Sequence, residues 1–136
     1  MTLLVAPLVV VLAAAQAPFE LNTKLSIAFG KVYWVTATVA ALDKAPVWKD
    51  DAANPPLSAR KAIKLADEAR GRRFKDPDEW EWRRALVELC DAGKGRWYWS
   101  VRYQAYYKGI VYFLRLPEIY LLVLMDGTVV EPTELK

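Results

Sequence analysis

The stretch Arg96-Trp97-Tyr98-Trp99-Ser100-Val101-Arg102-Tyr103-Gln104-Ala105-Tyr106-Tyr107 decides how the rest of the chain is read. In steps of two it separates Trp97, Trp99, Val101, Tyr103 and Ala105 from Tyr98, Ser100, Arg102, Gln104 and Tyr106. Successive side chains of a strand point to opposite faces, so this alternation predicts a strand with one apolar face. Aromatic and β-branched residues suit a pleated surface, and no other segment carries as much aromatic area. The stretch is expected at the centre of a sheet. Trp97, Trp99, Val101 and Tyr103 form the more apolar set and are expected to face a helix. Tyr98, Arg102, Gln104 and Tyr106 then lie on the opposite face, where rings beside one arginine have the composition of a binding surface.

Toward the C-terminus, Lys108-Gly109 interrupts the pattern, and Ile110 to Leu116 is an apolar connection ended by Pro117. Ile119 to Met125 is a continuous apolar run that predicts a strand buried on both faces. Asp126-Gly127 is a two-residue hairpin signal leading to a short strand, Thr128 to Glu131. On the other side, Asp91-Ala92-Gly93-Lys94-Gly95 reads as a hairpin connection. Trp80 to Cys90 before it alternates, but neither side is cleanly apolar. The flanking tryptophans favour a strand; a helix from Pro77 through Leu89 is the alternative.

Leu57 to about Arg70 is the convincing helix. Ser58 suits the N-cap, and Ala59, Ala62, Ile63, Ala66 and Ala69 share one face, with Leu65 flanking. Gly71 is expected just past the end, with Arg70, Arg72 and Arg73 where the helix dipole favours cations. Arg60, Lys61, Lys64, Asp67 and Glu68 make a solvated outer face. Lys44 to Pro56 is a loop with Pro46, Pro55 and Pro56, whose lone Trp48 is expected to lid one end of the core. Val32 to Leu42 reads as a first strand after a turn at Gly30-Lys31, and Phe19 to Lys31 shows no clear period. Strand, helix, then three or four antiparallel strands predict an α+β fold. Its form is a two-layer sandwich, one helix on an antiparallel sheet of about four to five strands.

The chain has 136 residues, which is room for one domain. Residues 1–15 are expected to be a signal peptide, 16–56 an N-terminal strand and proline-containing loop, and 57–136 the helix and sheet. The last two are expected to form one domain. Thr2 to Phe19 carries no charge, and Ala13-Ala14-Ala15 supplies the small-residue pattern before a cut, placing the mature start near Gln16. The run also just reaches the ~18 residues of a membrane span, so an uncleaved anchor is the alternative, and a buried core helix a third. With cleavage, no stable membrane span remains, and the product is secreted or periplasmic.

A net charge of +3 is too mild for a nucleic-acid binder. The absence of histidine removes the commonest general base and metal ligand, and the one cysteine, Cys90, cannot form an intramolecular disulfide. No metal or cofactor is expected. Asp50-Asp51 and Asp76, Asp78, Glu79 lack the spacing of a calcium loop and read as solvated turn residues. Gly93-Lys94-Gly95-Arg96 is too short to cradle a phosphate. Cys90 has no histidine to activate it and reads as an inert thiol. Six tryptophans and seven tyrosines could build a carbohydrate or peptide platform, although much of that bulk is needed for the core.

The helix opening Ser58-Ala59-Arg60-Lys61-Ala62-Ile63-Lys64-Leu65-Ala66, the aromatic strand Trp97 to Tyr103, and the close on Ile119 to Pro132 around Asp126-Gly127-Thr128-Val129 resemble the PepSY pattern. The resemblance spans residues 57–132, and Asp126-Gly127 stand adjacent where the pattern has intervening residues. It implies a small extracytoplasmic α+β module without catalytic residues, found in peptidase propeptides and thought to bind or restrain peptidases. It carries over no site residue. The expected function is non-catalytic binding or inhibition, with a peptidase or another envelope protein as partner. An envelope structural protein is the alternative, and a carboxylate-based hydrolase a more distant one.

Overall fold

The computed structural model describes residues 22–109 and 115–136. The expected signal segment 1–15 and most of the apolar connection, residues 110–114, lie outside the described residues. In chain order the elements are β1 (Thr23–Ala28), β2 (Lys31–Thr36), α1 (Val39–Lys44), α2 (Ala59–Arg73), β3 (Trp80–Asp91), β4 (Trp97–Tyr107), β5 (Glu118–Leu124), β6 (Val129–Val130) and β7 (Thr133–Glu134). They form two antiparallel sheets, β1-β2-β7 and β3-β4-β5-β6. The mixed α and β content agrees with expectation. One sheet bearing one helix does not: among the described residues there are two sheets and two helices.

β4 lies inside the larger sheet, paired with β3 and β5 along most of its length. β5 is buried on both faces, as its unbroken apolar run predicted: Ile119, Leu121, Leu122, Val123 and Leu124 are all at 0% exposure. The helix α2 packs on β4, β5 and β6. It is capped by the Ser58 hydroxyl, which accepts from the Lys61 N–H, and it buries Ala62, Ala66 and Ala69. Methyl-sized side chains let the helix approach the sheet closely, so the large groups of that interface come from β4. The helix does not stop before Gly71. It runs to Arg73 because the cap residue Phe74 is anchored from outside, its ring edge-on to Tyr33 and Trp82.

Two sequence expectations are corrected in the N-terminal part. The strand expected over Val32 to Leu42 ends at Thr36, and Val39–Lys44 turns helical. Thr38 caps that turn by accepting from the Ala41 N–H, and Leu42 is buried beneath it. The stretch without a clear period contains β1, whose Leu25 and Ile27 are exposed while Ser26 and Ala28 are buried. The usual apolar-in rule is inverted there. β1 joins β2 through a two-residue turn with positive φ at both Phe29 (50°) and Gly30 (76°). Such a turn suits glycine or asparagine; a phenylalanine in it is strained. Its ring stacks edge-on against Trp80 and Trp82, at 5.2 and 5.9 Å, and this contact offsets the strain. β1 and β2 in turn lie against β5.

A bulge in β3 resolves its ambiguous pattern. The register with β4 shifts between Arg84 and Leu86, leaving Ala85 as the extra residue. Trp80, Trp82 and Arg84 therefore share a face with Val87 and Leu89. Glu81 and Arg83 share the other with Leu86, Glu88 and Cys90. With one residue inserted, both halves of the strand present their apolar side to the same layer.

Candidate functional site

The two faces of β4 are built differently. On the helix side the large polar tips of β4 have partners, while the buried Nε of Arg70 has none. The Trp99 indole N–H donates to the Leu57 carbonyl at 2.9 Å, just ahead of α2. The Tyr103 hydroxyl donates to Asp67 Oδ1 at 2.6 Å, and Arg84 donates to Asp67 Oδ2 at 2.7 Å, tying β3 and β4 to the helix. The Arg70 guanidinium lies over the Tyr103 ring, 5.9 Å from its centre, and 3.6 Å from Asp76. Burial, and then the bond to Asp67, push the Tyr103 hydroxyl well above the usual tyrosine range. Asp67, Arg70, Trp82, Arg83, Arg84 and Tyr103 line a cleft of about 360 Å³ here. Sequence reasoning placed Asp67 on a solvated face. Its bridging role depends on Arg84, whose side was hidden by the β3 bulge.

The opposite face carries the four residues singled out from sequence, and the register extends it. Tyr98 stands opposite Cys90 and Leu124, Ser100 opposite Glu88 and Leu122, Arg102 opposite Leu86 and Tyr120, and Gln104 opposite Arg83 and Glu118. Tyr106 stands opposite Glu81. The set divides along the strand. Tyr98 is buried at 3% exposure directly opposite Cys90. Burial, followed by the influence of Cys90, raises its hydroxyl, and burial raises the Cys90 thiol against the opposing effect of Lys24. A thiol held protonated in this way is a weak nucleophile.

Arg102, Gln104 and Tyr106 are half-buried and reach solvent. The Tyr106 hydroxyl donates to Gln104 Oε1 at 3.3 Å, and the Arg83 guanidinium stacks 4.8 Å above the Tyr106 ring. Leu86 is exposed beside Arg102, and the Lys24 ammonium lies 6.0 Å from the centre of the Tyr120 ring. Among the described residues, three buried side-chain atoms have no hydrogen-bond partner: Arg102 Nε and Ser100 Oγ on this side, and Arg70 Nε on the helix side. Ser100 is itself buried at 2% exposure, so only the Arg102 end of this side is open to solvent. Leu86 and Arg83 were not legible as members of this surface, because only the bulge brings them to it.

Among the described residues no three acidic or thiol side chains gather as a metal site, and no helix is long and apolar enough to cross a membrane. Asp76 instead accepts from the Trp82 backbone N–H at 3.0 Å, and Glu79 from the Tyr107 hydroxyl at 2.8 Å. In comparison with known proteins, the chain matches no family model, no curated protein and no solved structure.

Proposed function

We propose that this chain is a PepSY-like extracytoplasmic module that works by binding, not by catalysis, and that the outer face of β4 meets its protein partner. A peptidase or another envelope protein is the partner class. The observation that carries the reading is the solvent-reaching set Arg102, Gln104 and Tyr106 beside the exposed Leu86, with the Arg83 guanidinium stacked on the Tyr106 ring. Tyrosine and arginine are the residue types that concentrate binding energy in interfaces. Arg102 supplies a donor fork suited to a carboxylate, with Leu86 and the Tyr106 ring as apolar contacts.

The test is site-specific photocrosslinking in the source cell envelope. A photoreactive residue at Leu86 is expected to trap one discrete protein. The same residue at Leu135, exposed near β2, is expected to trap none. Equal trapping from both positions, or trapping from Leu135 alone, contradicts the reading.

A further inference from the structure

We propose that the notch between Trp48 and Trp97 is a carbohydrate subsite that stacks one pyranose ring. This goes beyond the protein-binding reading and rests on a different part of the molecule. The two indole rings meet edge to face, with centres 5.2 Å apart and planes at 69°. With Lys49, Asp50 and Ala52 they line a cavity of about 210 Å³. That is smaller than the ~300–1,000 Å³ of sites for drug-sized ligands, and it suits a single ring.

The loop that carries Trp48 is held by several independent ties. The Trp48 backbone N–H donates to the Gly95 carbonyl at 2.9 Å, and its indole N–H donates to the Ala52 carbonyl at 2.9 Å. Ala52 N–H closes a turn onto the Lys49 carbonyl at 3.0 Å. A Cβ on Gly95 would sit 2.6 Å from Val47 Cγ1, so glycine lets this loop lie directly on the β3–β4 turn. Trp97 is fixed by the strand pairing of β4 with β3. The indole N–H bond to Ala52 fixes the Trp48 ring on its own loop. Pinning sets the ring plane in advance, which reduces the ordering cost of binding.

The polar groups at the rim decide the ligand class. A sugar presents apolar C–H faces, which stack on indole, and a rim of hydroxyls that both donate and accept. Asp50 supplies an acceptor and Lys49 a donor, and among the described residues neither makes an ion pair. An organic cation would also stack on the rings, repelled by Lys49 and attracted by Asp50, and choline is therefore the competing ligand in the test. A purely apolar guest would leave both charged groups desolvated without a partner.

The experiment is a fluorescence and calorimetric titration of the full chain with cellohexaose and, separately, chitohexaose, whose equatorial substituents leave flat ring faces. A saturable response with a dissociation constant on the order of 1 mM is expected for at least one of them. Trp48→Ala and Asp50→Ala should each weaken it tenfold or more. Asp50 is exposed, so its substitution separates loss of binding from loss of folding. The proposal is overturned by the absence of a saturable response to either sugar at ~20 mM. Binding that survives the Asp50→Ala substitution at full strength overturns it as well. So does a response to choline stronger than the response to both sugars.

Discussion

The two faces of β4 come from alternate residues of one strand, yet they end in opposite conditions. On the helix side, Trp99 and Tyr103 are buried and their polar tips are bonded to Leu57 and Asp67. On the far side, Arg102, Gln104 and Tyr106 reach solvent, with Leu86 exposed beside them. The helix face is closed within the fold: α2 contributes alanine methyls together with Asp67 and Arg70, and the strand supplies the bulk. The far face is left partly open to solvent. Stability should therefore be concentrated on one side of the strand and recognition on the other.

The largest expected effect is on the helix face. Trp99→Ala removes a buried indole and its bond to Leu57, and should lower unfolding free energy by ~3–5 kcal/mol in denaturant titration. A loss below about 1 kcal/mol would erase the contrast between the faces.

Next in size is Tyr103→Phe, which leaves the ring and removes the hydroxyl that bridges to Asp67. The expected cost is about 1–3 kcal/mol, since Asp67 loses a charge-assisted donor. This substitution also has a pH signature. Tyr98, Tyr103 and Cys90 all have folded pKa values raised above their ordinary ones. The folded state thus favours their protonated forms. Their contribution is complete below the unfolded values, which lie near ~8.5 for cysteine and ~10 for tyrosine, and is lost as pH rises beyond them. Melting temperature should fall in the alkaline range, and Tyr103→Phe should make that fall shallower. An unchanged alkaline slope would show that the hydroxyl is not held as the structure places it.

Ser100→Ala is the smaller, opposite case. Removing a buried hydroxyl without a partner should leave stability within about 1 kcal/mol of the parent or raise it slightly. A loss above ~2 kcal/mol would reveal a bond to the Ser100 hydroxyl.

The contrast also explains what the sequence could disclose. Strict alternation from Trp97 to Tyr107 made β4 and its apolar face legible, and Ser58 with its alanine series did the same for the start of α2. Those signals are local and carried by residue type. The β3 bulge has no such signature: Ala85 is an ordinary strand residue, and its effect is to change which side Arg83, Arg84 and Leu86 occupy. The β1–β2 hairpin was illegible because Phe29 stands where a turn residue belongs, held there by Trp80 and Trp82 from a distant segment. Leu25 and Ile27 point outward, which inverted the pattern a reader would seek. Of the four proposed contact residues, alternation placed all on one face. It could not show that Tyr98 is buried beside Cys90 while Arg102, Gln104 and Tyr106 reach solvent.

The measurement that bears most directly on the central claim compares the parent with Arg102→Ala/Tyr106→Ala, read for both stability and partner capture. Immobilised chain is exposed to envelope extract, the retained protein is quantified, and unfolding is followed on the same preparations. Unfolding free energy should stay within about 1 kcal/mol of the parent while retention of the partner falls at least tenfold. A variant that unfolds would show that the far face carries stability after all. A folded variant that captures the partner as well as the parent would contradict the account, because the solvent-reaching residues of that face would then serve no recognition.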